Sequence, residues 1–136
     1  MIMKNPLKKL FGNLKSSGQS DCRWNHLKPC GYEQFLYLVE IERSRSHRNN
    51  IEFSLILIKF GQERIREAVV FRLVQKISKR MRRIDKIGWY DNGQIAILLP
   101  STNQHGAQKF ADDLAGVTKD IPLNIEFSTI SYPAEN

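Results

Sequence analysis

Acidic residues are almost missing from the first thirty positions of this chain, cysteine is scarce, and no long apolar run occurs anywhere. Each absence excludes something. Two cysteines, Cys22 and Cys30, cannot build the cross-linked scaffold of a small secreted domain, so free thiols in a reducing, cytoplasmic setting are the expectation. The longest apolar stretch, around Leu55 to Ile58, is far too short to cross a bilayer. Met1 to Lys15 holds neither an uninterrupted apolar region nor a small-residue cleavage site, so it does not read as a signal peptide. There is no internal repeat, and no Ser/His/Asp or Cys/His grouping stands in a context that suggests a nucleophilic enzyme. What is present suits one globular domain: 136 residues, of which 41% are hydrophobic and 26% charged, a balance that excludes disorder throughout.

The net charge of +7 is unevenly placed. Residues 1–30 carry Lys4, Lys8, Lys9, Lys15, Arg23 and Lys28 against Asp21 alone, a net +5, and residues 31–136 carry only +2. A general nucleic-acid binder concentrates positive charge on its folded part and interleaves it with aromatic residues on its strands, so specific nucleic-acid binding ranks last. Residues 12–31, with Gly12, Ser16, Ser17, Gly18, Ser20, Pro29 and Gly31, read as a linker. Before it, Leu7, Leu10, Phe11 and Leu14 follow the spacing of one helix face, with Asn5 as cap and Pro6 in the first turn. Two readings stand for residues 1–15: a disordered basic tail, or a short amphipathic helix making weak contact with an anionic membrane surface or a partner. Residues 1–30 are accordingly expected as a basic leader and linker, and 31–136 as the domain.

Within the domain, the pattern from Tyr32 to His47 is helical, with Phe35, Leu36, Leu38, Val39 and Ile41 inward and Glu40, Glu42, Arg43 and Arg45 outward. Ile51 to Phe60 alternates and then runs apolar, as a strand buried on both faces does. Ile65, Val69, Val70, Leu73, Val74, Ile77, Met81 and Ile84 recur at three and four residues, which predicts a long helix over Glu63–Arg83. Ile87–Tyr90 and Gln94–Leu99 read as strands joined by a turn at Asp91-Asn92-Gly93. A helix over Gln104–Val117 and a strand over Leu123–Tyr132 complete the order helix-strand-helix-strand-strand-helix-strand. The expected class is α+β: a ferredoxin-like, mostly antiparallel sheet with helices packed on it.

The run from Asp85 through Trp89-Tyr90-Asp91-Asn92-Gly93-Gln94-Ile95 to Leu98-Leu99-Pro100 resembles the signature hairpin of GGDEF domains, the diguanylate cyclase fold. Thr102, Gly106, Ala107 and Ala111 resemble the segment that follows it in that family, Ser128 to Ser131 the next strand, and Glu42, Arg43, Ser44, Arg45 and Arg48 the approach to the first strand. The likeness spans residues 32–133. It implies a truncated domain whose catalytic pieces are gone. The family's Gly-Gly-Asp-Glu-Phe falls on Asp91, Asn92, Gly93, Gln94 and Ile95, so its acidic pair becomes Gly93 and Gln94, which cannot neutralise a divalent cation as carboxylates do. The family's second metal carboxylate falls near Lys59, a cation, and Gly61 leads almost directly into the next helix. No cyclase activity, no metal and no cofactor are expected.

One binding feature of the family is kept on paper. Arg82 and Asp85 stand three apart, as in the Arg-x-x-Asp site where active members bind their product, cyclic di-GMP. Arginine forks onto phosphate or a guanine edge, and a carboxylate accepts from guanine N–H groups. On the predicted helix Arg82 lies away from the apolar stripe, with Lys79, Arg80, Arg83 and Lys86 adding positive field. Degenerate family members that keep this site act as regulators, often of exopolysaccharide or biofilm formation. The plain reading is a solvated basic helix end, since cations suit a helix C-terminus anyway. A further reading is a nucleotide-free module that self-associates or docks a protein partner through its helices or the Trp89 hairpin. Cys22, His26 and Cys30 share a helical spacing, but zinc wants a fourth ligand and tighter pairing. His47 and His105 read as exposed helix ends.

Overall fold

A computed structural model of the chain describes residues 29–61, 66–91 and 93–133. Its elements follow the expected order: α1 (Tyr32–Asn49), β1 (Phe53–Phe60), α2 (Glu67–Ser78), β2 (Lys86–Asp91), β3 (Gln94–Pro100), α3 (Gln104–Val117) and β4 (Ile125–Tyr132). The strands form one sheet in the order β2-β3-β1-β4 with every neighbouring pair antiparallel. The class is α+β, ferredoxin-like in strand order.

β1 is central, and its alternation feeds two cores. Phe53 and Leu55 join Phe35, Leu36, Val39, Tyr90, Ala96 and Leu98 under α1. Ile56 and Ile58 join Leu73, Val74, Ile77, Ile95, Ile97, Leu99 and Leu114 under α2 and α3. One strand with apolar residues at consecutive positions thus binds helices to both faces, as the run Leu55 to Ile58 implied. The hairpin turn is built as read: Asp91 pairs with Gln94, and Gly93 takes φ +77°, a conformation that favours glycine.

Four expectations are corrected. The helix predicted over Glu63–Arg83 is α2, Glu67–Ser78; residues 62–65 lie outside the description. After Ser78 the chain tightens into i→i+3 bonds (Arg80 N–H to the Ile77 carbonyl, Met81 N–H to that of Ser78), and the Asp85 carboxylate takes the Arg82 N–H at 2.8 Å. A side chain that captures a backbone donor competes with helix continuation. Ile84, counted on the apolar stripe, is consequently 50% exposed. On α1, Glu42 is buried and Ile41 exposed, the reverse of the expectation. Glu42 falls seven residues after Phe35 on the inward face, where its Oε1 accepts from Arg45 Nη1 at 3.0 Å.

Cys30 is disulfide-bonded, which overturns the reading of free thiols and removes Cys30 from any metal set. Its backbone extends the sheet edge in a parallel bridge to Gly88, with Cys30 N–H on the Ile87 carbonyl and Trp89 N–H on the Cys30 carbonyl. The readings for residues 1–15, Cys22 and His26 lie outside the described residues.

Candidate functional site

The turns between α2 and β2 carry Arg82 and Asp85, and the spacing that drew attention to them does bring them together. Asp85 accepts on both oxygens: Arg82 Nη2 donates to Oδ1 at 2.9 Å, Arg82 Nε to Oδ1 at 3.1 Å and Oδ2 at 3.3 Å, and the Arg82 backbone N–H to Oδ2. The Asp85 side chain is 2% exposed and that of Arg82 49%. Arg82 is therefore outward because it sits on a turn, not because of its angle on a helix.

Two further partners hold the guanidinium. Nη2 donates to the Pro100 carbonyl and to Thr102 Oγ1, both at 3.0 Å, and Thr102 Oγ1 in turn donates to the same carbonyl at 2.9 Å. Thr102 opens the approach to α3, whose cap Asn103 accepts the Gly106 N–H at 2.9 Å. Beside this network lies a cleft of about 230 Å³ lined by Arg80, Arg82, Asp85, Thr102, Gly106 and Phe110, among others. Nη1 of Arg82 has no hydrogen-bond partner among the described residues.

The surrounding cations differ in exposure. Lys79, Arg82 and Arg83 are exposed, and Lys86 is half-buried on β2. Arg80 donates from Nη1 to both oxygens of Asp113 on α3 at 3.2 Å, which ties the end of α2 to α3 and neutralises part of the field. Pro100, Thr102 and Phe110 were not among the site residues read from sequence, and Arg80 was read only as a source of positive field. Thr102 had a signal, its place in the family-like segment after the hairpin; a backbone carbonyl such as that of Pro100 has none.

At the turn of the β2–β3 hairpin, Asp91 and Gly93 are exposed and Gln94 half-exposed; Ile95 is buried in the core, and Asn92 lies outside the description. Trp89 is half-buried and packs on the core beneath α2 and α3, so it serves the fold. Lys59, near the end of β1, is exposed opposite Glu126 of β4. Among the described residues no group of three His, Cys, Asp or Glu is placed to hold a metal ion. His47 and His105 are exposed, as read.

The whole arrangement of sheet, hairpin and helices has solved counterparts. A diguanylate cyclase protein from Thermotoga maritima superposes with a TM-score of 0.69 at 15% identity, over 79% of this chain and 85% of that one. The fold is that of GGDEF domains. The diguanylate cyclase SiaD from Pseudomonas aeruginosa, solved with its activator SiaC, matches with a TM-score of 0.72 at 13% identity over 96% of this chain, which spans 56% of SiaD. The GGDEF domain of DgcB from Caulobacter crescentus, solved with cyclic di-GMP, matches at 0.64 and 9% identity, over 88% and 79% of the two chains. No protein-family profile and no curated protein sequence matches. Among the described residues, no helix of this GGDEF-type fold is long and apolar enough to cross a membrane.

Proposed function

We propose that this chain is a regulatory GGDEF-type domain that makes no cyclic di-GMP and instead binds it at the Arg82-x-x-Asp85 turn, in signalling of the exopolysaccharide or biofilm kind. The observation that carries the reading is the guanidinium of Arg82, fixed by Asp85, Pro100 and Thr102 yet half exposed beside an open cleft. Because Asp85 already accepts on both oxygens, the division of labour is specific. Arg82 contacts phosphate or a guanine edge through its outer nitrogen, Asp85 positions it, and Lys79, Arg83 and Lys86 supply field. A pre-held arginine loses little rotamer freedom on binding, which favours affinity. Absence of cyclase activity rests on Gly93 and Gln94 at the signature's acidic positions and Lys59 near the end of β1.

A second reading, docking of a protein partner or a second copy, is favoured by Tyr37 and Ile41, one helical turn apart on α1 and 43% and 42% exposed. Calorimetric titration with cyclic di-GMP separates the two. Micromolar binding that Arg82→Lys weakens by about tenfold or more supports the receptor, since lysine keeps the charge beside Asp85 but loses the fork. Absence of heat, or equal binding by the variant, removes it. Formation of cyclic di-GMP from GTP and magnesium by the same preparation would overturn the claim of inactivity.

A further inference from the structure

A larger cavity than the one at Arg82, about 720 Å³, opens at the same end of the sheet on its opposite face. Phe53 is paired with Pro100 on one side and Tyr132 on the other, so the start of β1 stands between the two clefts. One wall is the C-terminal half of α1, with Glu40, Arg43, His47 and Arg48 along it; the other is Phe53 and Tyr132.

The wall is cationic after its internal pairing is counted. Glu40 is its one acid, and Arg43 Nη1 holds it at 3.3 Å. Arg48 and His47 have no acidic partner within ion-pair distance among the described residues. The Tyr132 ring stacks on that of the fully buried Phe53, with centroids 5.2 Å apart and planes 12° apart, so its position is fixed. Burial pushes the Tyr132 phenol up and Arg43 opposes it, which places that guanidinium in the field of the hydroxyl. The turn after α1 is also set: Asn50, at φ 57°, caps the helix with its N–H on the Ser46 carbonyl. The helix dipole accounts for cations in a last turn. It does not account for an aromatic floor opposite them, or for a cavity within the size range of small-ligand sites.

We propose that this cleft binds a phosphorylated small molecule carrying a flat ring, of the nucleoside monophosphate kind, with Arg48, Arg43 and His47 on the phosphate and Tyr132 against the ring. Arginine suits phosphate through its planar fork, and a neutral ring contributes by stacking on the phenol. The site shares no lining residue with the Arg82 cleft and stands or falls independently of it.

The test is titration of the full chain with guanosine monophosphate, with inorganic phosphate in parallel, followed by calorimetry. The expected result is saturable nucleotide binding, tighter than that of inorganic phosphate. Arg48→Ala weakens it by about tenfold. Tyr132→Leu removes the preference for the nucleotide over phosphate while thermal melting confirms the fold. Equal affinity for nucleotide and inorganic phosphate, unchanged binding in Arg48→Ala, or no binding at millimolar ligand would each overturn the proposal and leave a solvated helix end.

Discussion

Asp85 spends its carboxylate inside the protein, and that decides how the site can be probed. Its side chain is almost fully buried and accepts four contacts from Arg82 alone. Asp85→Ala should therefore destabilise the fold by about 1.5–3 kcal/mol, the range for hydrogen bonds to a charged group, as read by urea denaturation. Arg82→Ala is not silent either, because it strips Asp85 of its cation and leaves the Pro100 carbonyl without that donor, and so the lysine variant is the cleaner probe. Tyr90 gives the opposite case. Its hydroxyl is buried with no partner among the described residues, and burial, with Tyr132, Asp91 and Tyr32 nearby, pushes the phenol up to about 12. The unfolded phenol titrates near its ordinary value of 10, so the unfolded chain loses its proton first. The neutral phenol's contribution to stability is whole below pH 10 and falls as pH rises from there toward 12. Tyr90→Phe should raise stability by about 1 kcal/mol at neutral pH and flatten that alkaline decline, checked by melting temperatures across the range. The Arg82–Asp85 contact was legible in a spacing of three; the consumption of both Asp85 oxygens was not, because nothing in a spacing says which acceptor a side chain will choose.

Elements with strong periodicity and a clear stop were the legible ones. The helix over Gln104–Val117 is found at those bounds, with Asn103 as its side-chain cap. The two strands around Asp91-Asn92-Gly93 are found within a residue. The apolar period runs past the end of α2 because Met81 and Ile84 continue it by chance, while the Asp85 carboxylate, beyond the helix, accepts the Arg82 N–H and ends the regular turn. On α1 angle outweighs hydrophobicity: a buried Glu42 with a neighbouring arginine fits the inward face, and Ile41 one step round does not. The approach of α1 to β2 depends on a missing side chain. A Cβ at Gly88 would stand 2.5 Å from a ring carbon of the fully buried Phe35. Gly88→Ala should cost about 1–3 kcal/mol through overpacking, measured by chemical denaturation, with far-ultraviolet circular dichroism reporting that the helices remain.

At the scale of the whole molecule, one sheet separates two cores and brings two clefts to one end of β1. The Arg82 cleft lies on the face of α2 and α3, the Arg48 cleft on the face of α1, and the β2–β3 turn, where the family's chemistry would sit, is at the opposite end of β3. Fold class and the order of elements along the chain followed from the sequence pattern because both faces of β1 are apolar and the hairpin is unambiguous. The clefts did not, because each is assembled from elements dozens of residues apart. Cyclic di-GMP binding at the Arg82 turn is the proposal on which the functional reading rests. Amide chemical-shift mapping of the labelled protein on addition of cyclic di-GMP tests it most directly. The expected shifts concentrate at Arg82, Thr102 and Gly106, with the Gly93 turn unmoved. No shifts at saturating ligand, or shifts confined to the hairpin turn, would contradict it.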